Sequence, residues 1–125
     1  MTQPIVYVDV SSVRPGKLAE LESAMDRLAR FVEANMPRLS SYGFYLDEVR
    51  ATMTVVALHP DEASLEAHLD TGREEFRGFA ALIELERIEV YGAVSAPVLE
   101  RLHEKARMLG GATVTVHEHQ AGFAR

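Results

Sequence analysis

The histidine at position 68 is the residue of this sequence best suited to chemistry. Leu65, His68 and Leu69 share one face of a predicted helix that begins after Asp61, so the imidazole is expected to face the interior. A neutral imidazole there could remove a proton from an acidic phenol or enol, and the anion could then react directly with dioxygen. The alternative is a structural histidine that is hydrogen-bonded to a backbone carbonyl or a nearby acid.

Aromatic side chains are the second feature that could serve a site. A small-molecule pocket is mostly apolar with a few placed polar groups, and phenol hydroxyls can supply those groups. Ordinary packing in the core or between subunits is the competing explanation. The candidates for substrate contact are Tyr7, Tyr42, Phe44, Phe76, Phe79 and Tyr91.

Two further histidines, His117 and His119, stand two positions apart and could chelate a metal from one strand face. The sequence fixes no third ligand near them, and a solvated sheet edge is the better explanation of the pair. We therefore predict no metal and no cofactor.

The elements that must position these residues follow from apolar periodicity and turn signals. The order is βαββαβ, which predicts an α+β, ferredoxin-like unit with an antiparallel sheet covered by helices on one face. The expected strands are residues 5–10, 40–46, 52–58 and 87–91, and the expected helices are 17–36 and the segment that follows Asp61.

The second helical segment is expected to break and restart. Thr71 and Glu74 have the spacing of a capping box, which marks a new helix start. Apolar residues then recur at helical spacing, at Phe76, Phe79, Ala80 and Ile83.

Residues 93–125 extend beyond this unit within what we expect to be a single domain, 1–125. A helix is predicted from Ser95 to the pair Gly110-Gly111, and a fifth short strand over 112–119. Either this helix and strand extend the sheet edge or they cross to a second subunit. The apolar stripe of the helix is Leu99, Leu102, Ala106 and Leu109.

The first strand is apolar on both faces, which a sheet with helices on one side does not require. Val6, Val8 and Val10 alternate with Ile5 and Tyr7. The second face therefore predicts a homodimer in which two sheets cover each other, closing a dimeric α+β barrel.

Composition narrows the function classes. Thirteen Lys and Arg against nineteen Asp and Glu give a net charge of −6, which disfavours a nucleic-acid partner. There is no cysteine, so disulfides and thiolate chemistry are excluded. No apolar run is long enough to span a bilayer, and the N-terminal segment lacks the pattern of a secretory signal, so we expect a cytoplasmic protein without a membrane partner.

The order of motifs resembles the antibiotic biosynthesis monooxygenase family, a branch of the dimeric α+β barrel superfamily. The strand TMTVVAL is followed by an acidic helix start, a histidine, an aromatic residue and a final strand that ends in tyrosine. The resemblance covers about residues 4–92 and leaves out the last 33 residues. The matching positions are Glu62, Ala63, His68, Phe76 and Tyr91.

This resemblance implies a homodimer with a pocket between sheet and helices in each subunit. It also implies a cofactor-independent monooxygenase that acts on a small aromatic, quinol-type or enolisable molecule, with His68 as the base. Two alternatives stay open: an isomerase that uses the same pocket, and a non-catalytic barrel that binds a hydrophobic ligand. The chain has no tryptophan, so the pocket tryptophan of the haem-degrading and polyketide-oxidising members has no counterpart here.

Overall fold

The computed structural model describes residues 3–125 and contains one five-stranded sheet with strand order β2-β3-β1-β4-β5. The strand β1 pairs antiparallel with both β3 and β4, and β2 pairs antiparallel with β3, as in a ferredoxin-like unit. The predicted α+β fold is confirmed. The strands are β1 (Ile5–Val13), β2 (Ser41–Asp47), β3 (Thr52–His59), β4 (Ile83–Tyr91) and β5 (Thr113–His117), and the helices are α1 (Leu18–Asn35), α2 (Glu62–Thr71), α3 (Arg73–Arg77) and α4 (Ala96–Met108).

The core lies between the helices and one face of the sheet. Successive residues of a strand point to opposite faces, and in the central strand β1 every second residue from Ile5 to Ser11 is buried. The buried residues of α1 (Leu21, Ala24, Leu28 and Val32) recur at helical spacing on the side that meets this face.

Local signals account for the ends of the first two long helices. Asp61 caps α2, because its carboxylate accepts a hydrogen bond from the backbone N–H of Ser64 at 2.9 Å. The helix α1 ends at Asn35, and Pro37 disfavours helical geometry at Met36. His68 therefore sits on a helix whose start is fixed.

The expected helix through Phe76 and Ile83 is wrong in its second half. The helix α3 ends at Arg77, residues 78–82 form turns, and Ile83 begins β4. A break in the strand register between Val10 and Ser11 explains the difference. The bulge places one extra residue in β4, so the buried positions before it (Ile83 and Leu85) are out of phase with those after it (Ile88 and Val90). The sequence therefore shows regular alternation only from residue 87 onward.

The C-terminal strand joins the sheet, and the C-terminal helix joins the layer of helices that covers it. The strand β5 pairs parallel with β4 and extends the sheet edge, and α4 crosses over the helical side between them. Val98, Leu102 and Ala106 of α4 are buried in the core. The sequence left open whether this helix and strand extend the sheet edge or cross to a second subunit, and in this structure they extend the edge of their own sheet.

None of the helices within residues 3–125 lies on the opposite face of the sheet. Val6, Val8 and Val10 of β1 and Val56 of β3 are partly exposed there, and Leu58 is exposed. None of the helices between residues 3 and 125 combines the length and the hydropathy that a membrane crossing requires.

Candidate active site

Three polar side chains lie in a row along the buried face of β1. Tyr7, Asp9 and Ser11 are two positions apart, so the pleat of the strand turns all three toward the helices, and none is more than 3% exposed. The alternation that buries Ile5 therefore also buries a carboxylate. A buried carboxylate needs partners, since burial without them is costly.

The partner of Asp9 comes from α4. Lys105 lies on the same face of that helix as Leu102 and Ala106, and it is 7% exposed. Its Nζ is 3.5 Å from Oδ2 of Asp9 and donates a hydrogen bond of 2.8 Å to the Tyr7 hydroxyl. The Tyr7 hydroxyl donates in turn to Oδ2 of Asp9 at 2.5 Å, which closes a three-membered network.

An aromatic ring covers the remaining side of the ammonium group. Lys105 Nζ lies 4.0 Å from the centre of the Phe76 ring and 4.8 Å from the centre of the Tyr7 ring. The negative face of an aromatic ring attracts a cation, and it does so more strongly when water is excluded. The cation is thus held by one carboxylate, one hydroxyl and two rings.

Burial shifts the titration of these groups in opposite directions. It raises the pKa of the Asp9 carboxyl, although the Lys105 charge opposes the shift. It lowers the pKa of the Lys105 ammonium, and the Asp9 charge opposes that shift. Because the two pKa values move toward each other, a proton moves between these groups at a smaller cost than it would in water. Burial and the Asp9 charge also raise the pKa of the Tyr7 hydroxyl well above its usual value, so Tyr7 acts as a hydrogen-bond donor and not as an anion.

A small cavity opens beside Asp9 and Lys105, between sheet and helices. Its volume of about 20 Å³ suits one water-sized molecule. Ser11 also borders it, and the Ser11 hydroxyl has no hydrogen-bond partner among the described residues. Three polar groups thus converge on an otherwise apolar space. The apolar lining consists of Leu28, Tyr42, Phe44, Met53, Val55, Phe76, Phe79, Ile83, Leu85 and Leu109.

Four of the six predicted aromatic residues line this cavity. Tyr42 packs edge-on against Phe44, and Phe44 stacks on Phe79 at 6.1 Å between ring centres. Phe76 lines the cavity, and its ring also covers the Lys105 ammonium group. Tyr7 does not border the cavity but reaches it through Asp9 and Lys105.

Tyr91 does not join the other predicted aromatic residues. It is 44% exposed on the helix-free face of the sheet, where its ring stacks on His117 at 4.5 Å. The register explains this placement, because Val90 is the neighbouring residue that points into the core.

His68 is buried as expected, behind the aromatic wall of the cavity. Its ring lies 5.2 Å from Tyr42 and 5.0 Å from Phe76, and its Nδ1 is 2.9 Å from Sδ of Met36. Burial, together with the Lys105 charge, lowers the pKa of His68 to about 2. An imidazole with so low a pKa is neutral but is a weak base.

A second buried histidine, His59, lies beside His68. The ring centres are 5.4 Å apart, and His59 Nδ1 is 2.9 Å from the Ser64 hydroxyl. Burial lowers the pKa of His59 to about 4. Neither Nε2 atom has a hydrogen-bond partner within the described part of the chain. The two rings form a neutral polar layer between α2 and the sheet.

The pair His117 and His119 does not form a chelating site in this structure. His117 Nε2 instead lies 3.0 Å from the Glu89 carboxylate on the neighbouring strand. Across residues 3–125, no cluster of three or more histidine, aspartate or glutamate side chains is placed to hold a metal ion.

Sequence reasoning missed Asp9, Lys105 and Ser11. A signal was present in each case, because Asp9 and Ser11 continue the buried alternation of β1 and Lys105 stands three positions after Leu102 in the apolar stripe of α4. A charged residue at an inward position of a strand or helix indicates a buried polar network.

Comparison with known proteins identifies the fold. No protein-family model matches the chain, and no curated protein matches its sequence. Among solved structures, MupZ from Pseudomonas fluorescens aligns with a TM-score of 0.73 at 15% identity, over 99% of this chain and 96% of MupZ. The alignment with MupZ therefore includes the C-terminal helix and strand.

Shorter relatives share the ferredoxin-like part of the fold. SnoaB, a cofactor-independent oxygenase from Streptomyces nogalater, aligns with a TM-score of 0.62 at 19% identity, over 76% of this chain and 97% of SnoaB. A Bacteriodes thetaiotaomicron protein named for the antibiotic biosynthesis monooxygenases aligns with a TM-score of 0.60 at 17% identity, over 67% of this chain and 84% of that protein. The resemblance to this family is confirmed as a likeness of fold.

The buried network predicts a strong coupling between Asp9 and Lys105. We expect Lys105→Met and Asp9→Asn each to lower the free energy of unfolding by about 3–5 kcal/mol, because each leaves a buried polar group without its partner. The double variant should cost less than the sum of the two. Urea unfolding measures all three. Arg107→Met on the same helix, which removes an exposed ion pair with Glu100, should cost about 0–1 kcal/mol. If the double variant lost as much free energy of unfolding as the two single variants together, the coupling would be contradicted.

The low pKa of His68 predicts an acid-sensitive fold. The unfolded chain binds a proton near the ordinary value of 6.5, whereas the folded chain does so only near 2, so the unfolded state binds more protons between these values. The free energy of unfolding should therefore fall as the pH falls from 6.5, with His68 contributing at most about 1.4 kcal/mol per pH unit. In His68→Leu this slope should be shallower by that amount between about pH 6 and pH 4. Equal slopes in denaturant titrations of the two proteins would show that His68 is not held neutral.

Proposed function

We propose that the protein is an enzyme that removes a proton from a small phenolic or enolisable molecule without a cofactor. The observation that carries this proposal is the Asp9–Lys105 pair, which is buried and yet borders a cavity with aromatic walls. A buried ion pair contributes little net stability compared with apolar residues of the same size. Buried groups whose pKa values are shifted and that line a cavity are candidates for catalysis.

The pair has the two functions that ionisation of such a substrate requires. The raised pKa of the Asp9 carboxyl makes its carboxylate a stronger base than an exposed aspartate. The Lys105 ammonium stabilises the oxyanion that forms as the proton leaves. Tyr7 holds the carboxylate by its hydrogen bond to Oδ2. The Ser11 hydroxyl, which has no hydrogen-bond partner within residues 3–125, can donate to a substrate oxygen.

The substrate anion supports an oxygenase reaction with dioxygen as the co-reactant. A CH₂ group that is activated by a carbonyl, directly or through a conjugated ring, gives its proton to Asp9, and the resulting carbanion adds dioxygen. One oxygen atom stays on the carbon as a new carbonyl group, and the other leaves as water with the two hydrogens of the CH₂ group. The likeness in fold to SnoaB, a cofactor-independent oxygenase, supports this reaction class.

His68 is the weaker candidate for the base. Its pKa of about 2 lies far from the range in which a general base works at neutral pH. Its ring packs behind Tyr42 and Phe76, which line the cavity. We propose that His68 supports the aromatic wall and that Asp9 takes the proton.

Oxygen uptake with anthrone as the probe tests the proposal, because its CH₂ group is activated by a carbonyl through the aromatic rings. Asp9→Asn and Lys105→Met should each lower the rate by about 100-fold or more, because one loses the base and the other the cation that stabilises the anion. Arg107→Met is the matched control on α4 and should keep the rate. Loss of turnover in His68→Leu alone, with Asp9→Asn active, would assign the base to His68. Exchange of the substrate C–H for deuterium without oxygen uptake would indicate an isomerase.

We also propose that the protein is a homodimer joined through the helix-free face of the sheet. The central residues of that face are apolar although no helix covers them, and burying them against a second copy removes that surface from water. Val8 is near the middle of this face, because β1 is the central strand of the sheet.

Light scattering tests the dimer directly. The wild-type chain should have twice its mass of 13.9 kDa, and Val8→Lys should have the mass of one chain, because a lysine cannot be buried unpaired between two sheets. Val49→Lys is the matched control, since Val49 is 97% exposed in the turn between β2 and β3. A monomeric wild-type protein would contradict this proposal.

A further inference from the structure

The second space of interest is a groove on the helical side, between α1 and the segment that begins with α3. Its volume is about 370 Å³, which falls in the range of small-molecule pockets. Its floor is apolar and its rim is charged. The floor consists of Ala24, Leu28, Phe31, Gly78, Phe79 and Leu82, and the rim of Arg27, Glu74 and Glu75.

This groove adjoins the cavity beside Asp9 and Lys105. Leu28 and Phe79 line both spaces, so their side chains form the partition between them. The inner cavity, at about 20 Å³, is too small for an aromatic substrate. A substrate that reaches Asp9 must therefore displace part of the cavity wall.

The partition has one member outside regular structure. Phe79 lies in the turns between α3 and β4, and its ring is held by stacking on Phe44 of the edge strand β2. A rotation of one side chain in a turn needs no break in a helix or in the sheet. Leu28, by contrast, is fixed on the inner face of α1.

We infer that the groove between α1 and α3 binds the apolar tail of the substrate, whose reacting end passes between Leu28 and Phe79 to Asp9. This inference rests on the proposed function and specifies its substrate as a phenol or enolisable molecule with an apolar chain. A floor of aliphatic and aromatic side chains binds such a chain through burial of its methylene groups.

A second groove on α1 provides the comparison. It has about 320 Å³, lies between the end of α1 and β2, and shares only Tyr42 with the inner cavity. Ala29 lines this second groove, as Ala24 lines the first. The substitutions Ala24→Phe and Ala29→Phe therefore fill two different grooves from the same helix.

Calorimetric titration with phenol, 4-butylphenol and 4-octylphenol, without oxygen, tests the groove. For the wild-type protein the affinity should rise at least about 10-fold from phenol to 4-butylphenol, because each buried methylene group contributes. Ala24→Phe should abolish this rise and Ala29→Phe should keep it. If Ala24→Phe does not fold, as judged by circular dichroism, Phe31→Ala should reduce the rise. An affinity independent of chain length, or one lost only in Ala29→Phe, would overturn the inference.

The partition is tested by a separate measurement. In Phe79→Ala the passage is wider, and the association rate of 4-butylphenol, from NMR line shapes, should rise at least 3-fold. An unchanged rate would place the entrance elsewhere.

Chain-length dependence that persists in Asp9→Asn, together with no oxygen uptake in the wild type, would keep the groove and reject the oxygenase reaction. Oxygen uptake by the wild type, together with an affinity that does not depend on chain length, would keep the oxygenase reaction and reject the groove as the binding site of the tail.

Discussion

The burial of the Lys105 ammonium group is the constraint on which the rest of this structure depends. A cation away from water requires a counter-charge and hydrogen-bond acceptors, and Asp9 and Tyr7 supply them from the central strand. Phe76 covers the remaining side. The network ties α4 to β1, which lies almost a hundred positions earlier in the chain, and it makes the C-terminal segment part of the core.

The same network gives the fold its chemical character. The ferredoxin-like unit ends with β4 at Tyr91. Lys105 lies beyond that point, so the unit alone would leave Asp9 without a cation as its partner. The added helix supplies Lys105, and Leu109, the residue that follows the helix, lines the cavity. Four of the six aromatic residues predicted from the sequence line the cavity, and the two neutral histidines fill the layer behind them. The buried ion pair and the side chains that pack around it thus belong to one assembly.

Much of the fold follows from the sequence, because alternation and helical spacing survive in most elements. Prediction failed where two periodic signals conflicted. Ile83 continued the helical spacing of Phe76 and Phe79, and the bulge in the sheet concealed its alternation with later residues. At the site, Tyr42 and Phe44 were predictable from the alternation of β2, and Phe76 and Phe79 from their helical spacing. The position of Lys105 in the apolar stripe of α4 indicates burial, but the sequence does not show that Asp9 is the acid opposite it.

The most direct test of the central claim is the protonation state of Asp9 when a ligand binds. Infrared difference spectra of the protein with and without 4-nitrophenol, which is more acidic than a tyrosine side chain, report both the carboxyl group and the phenol, at a pH where the free ligand is neutral. We expect binding to produce a protonated carboxyl band and a phenolate band, and we expect the carboxyl band to be missing in Asp9→Asn. Binding of the neutral phenol with no change at any carboxyl group would contradict Asp9 as the base.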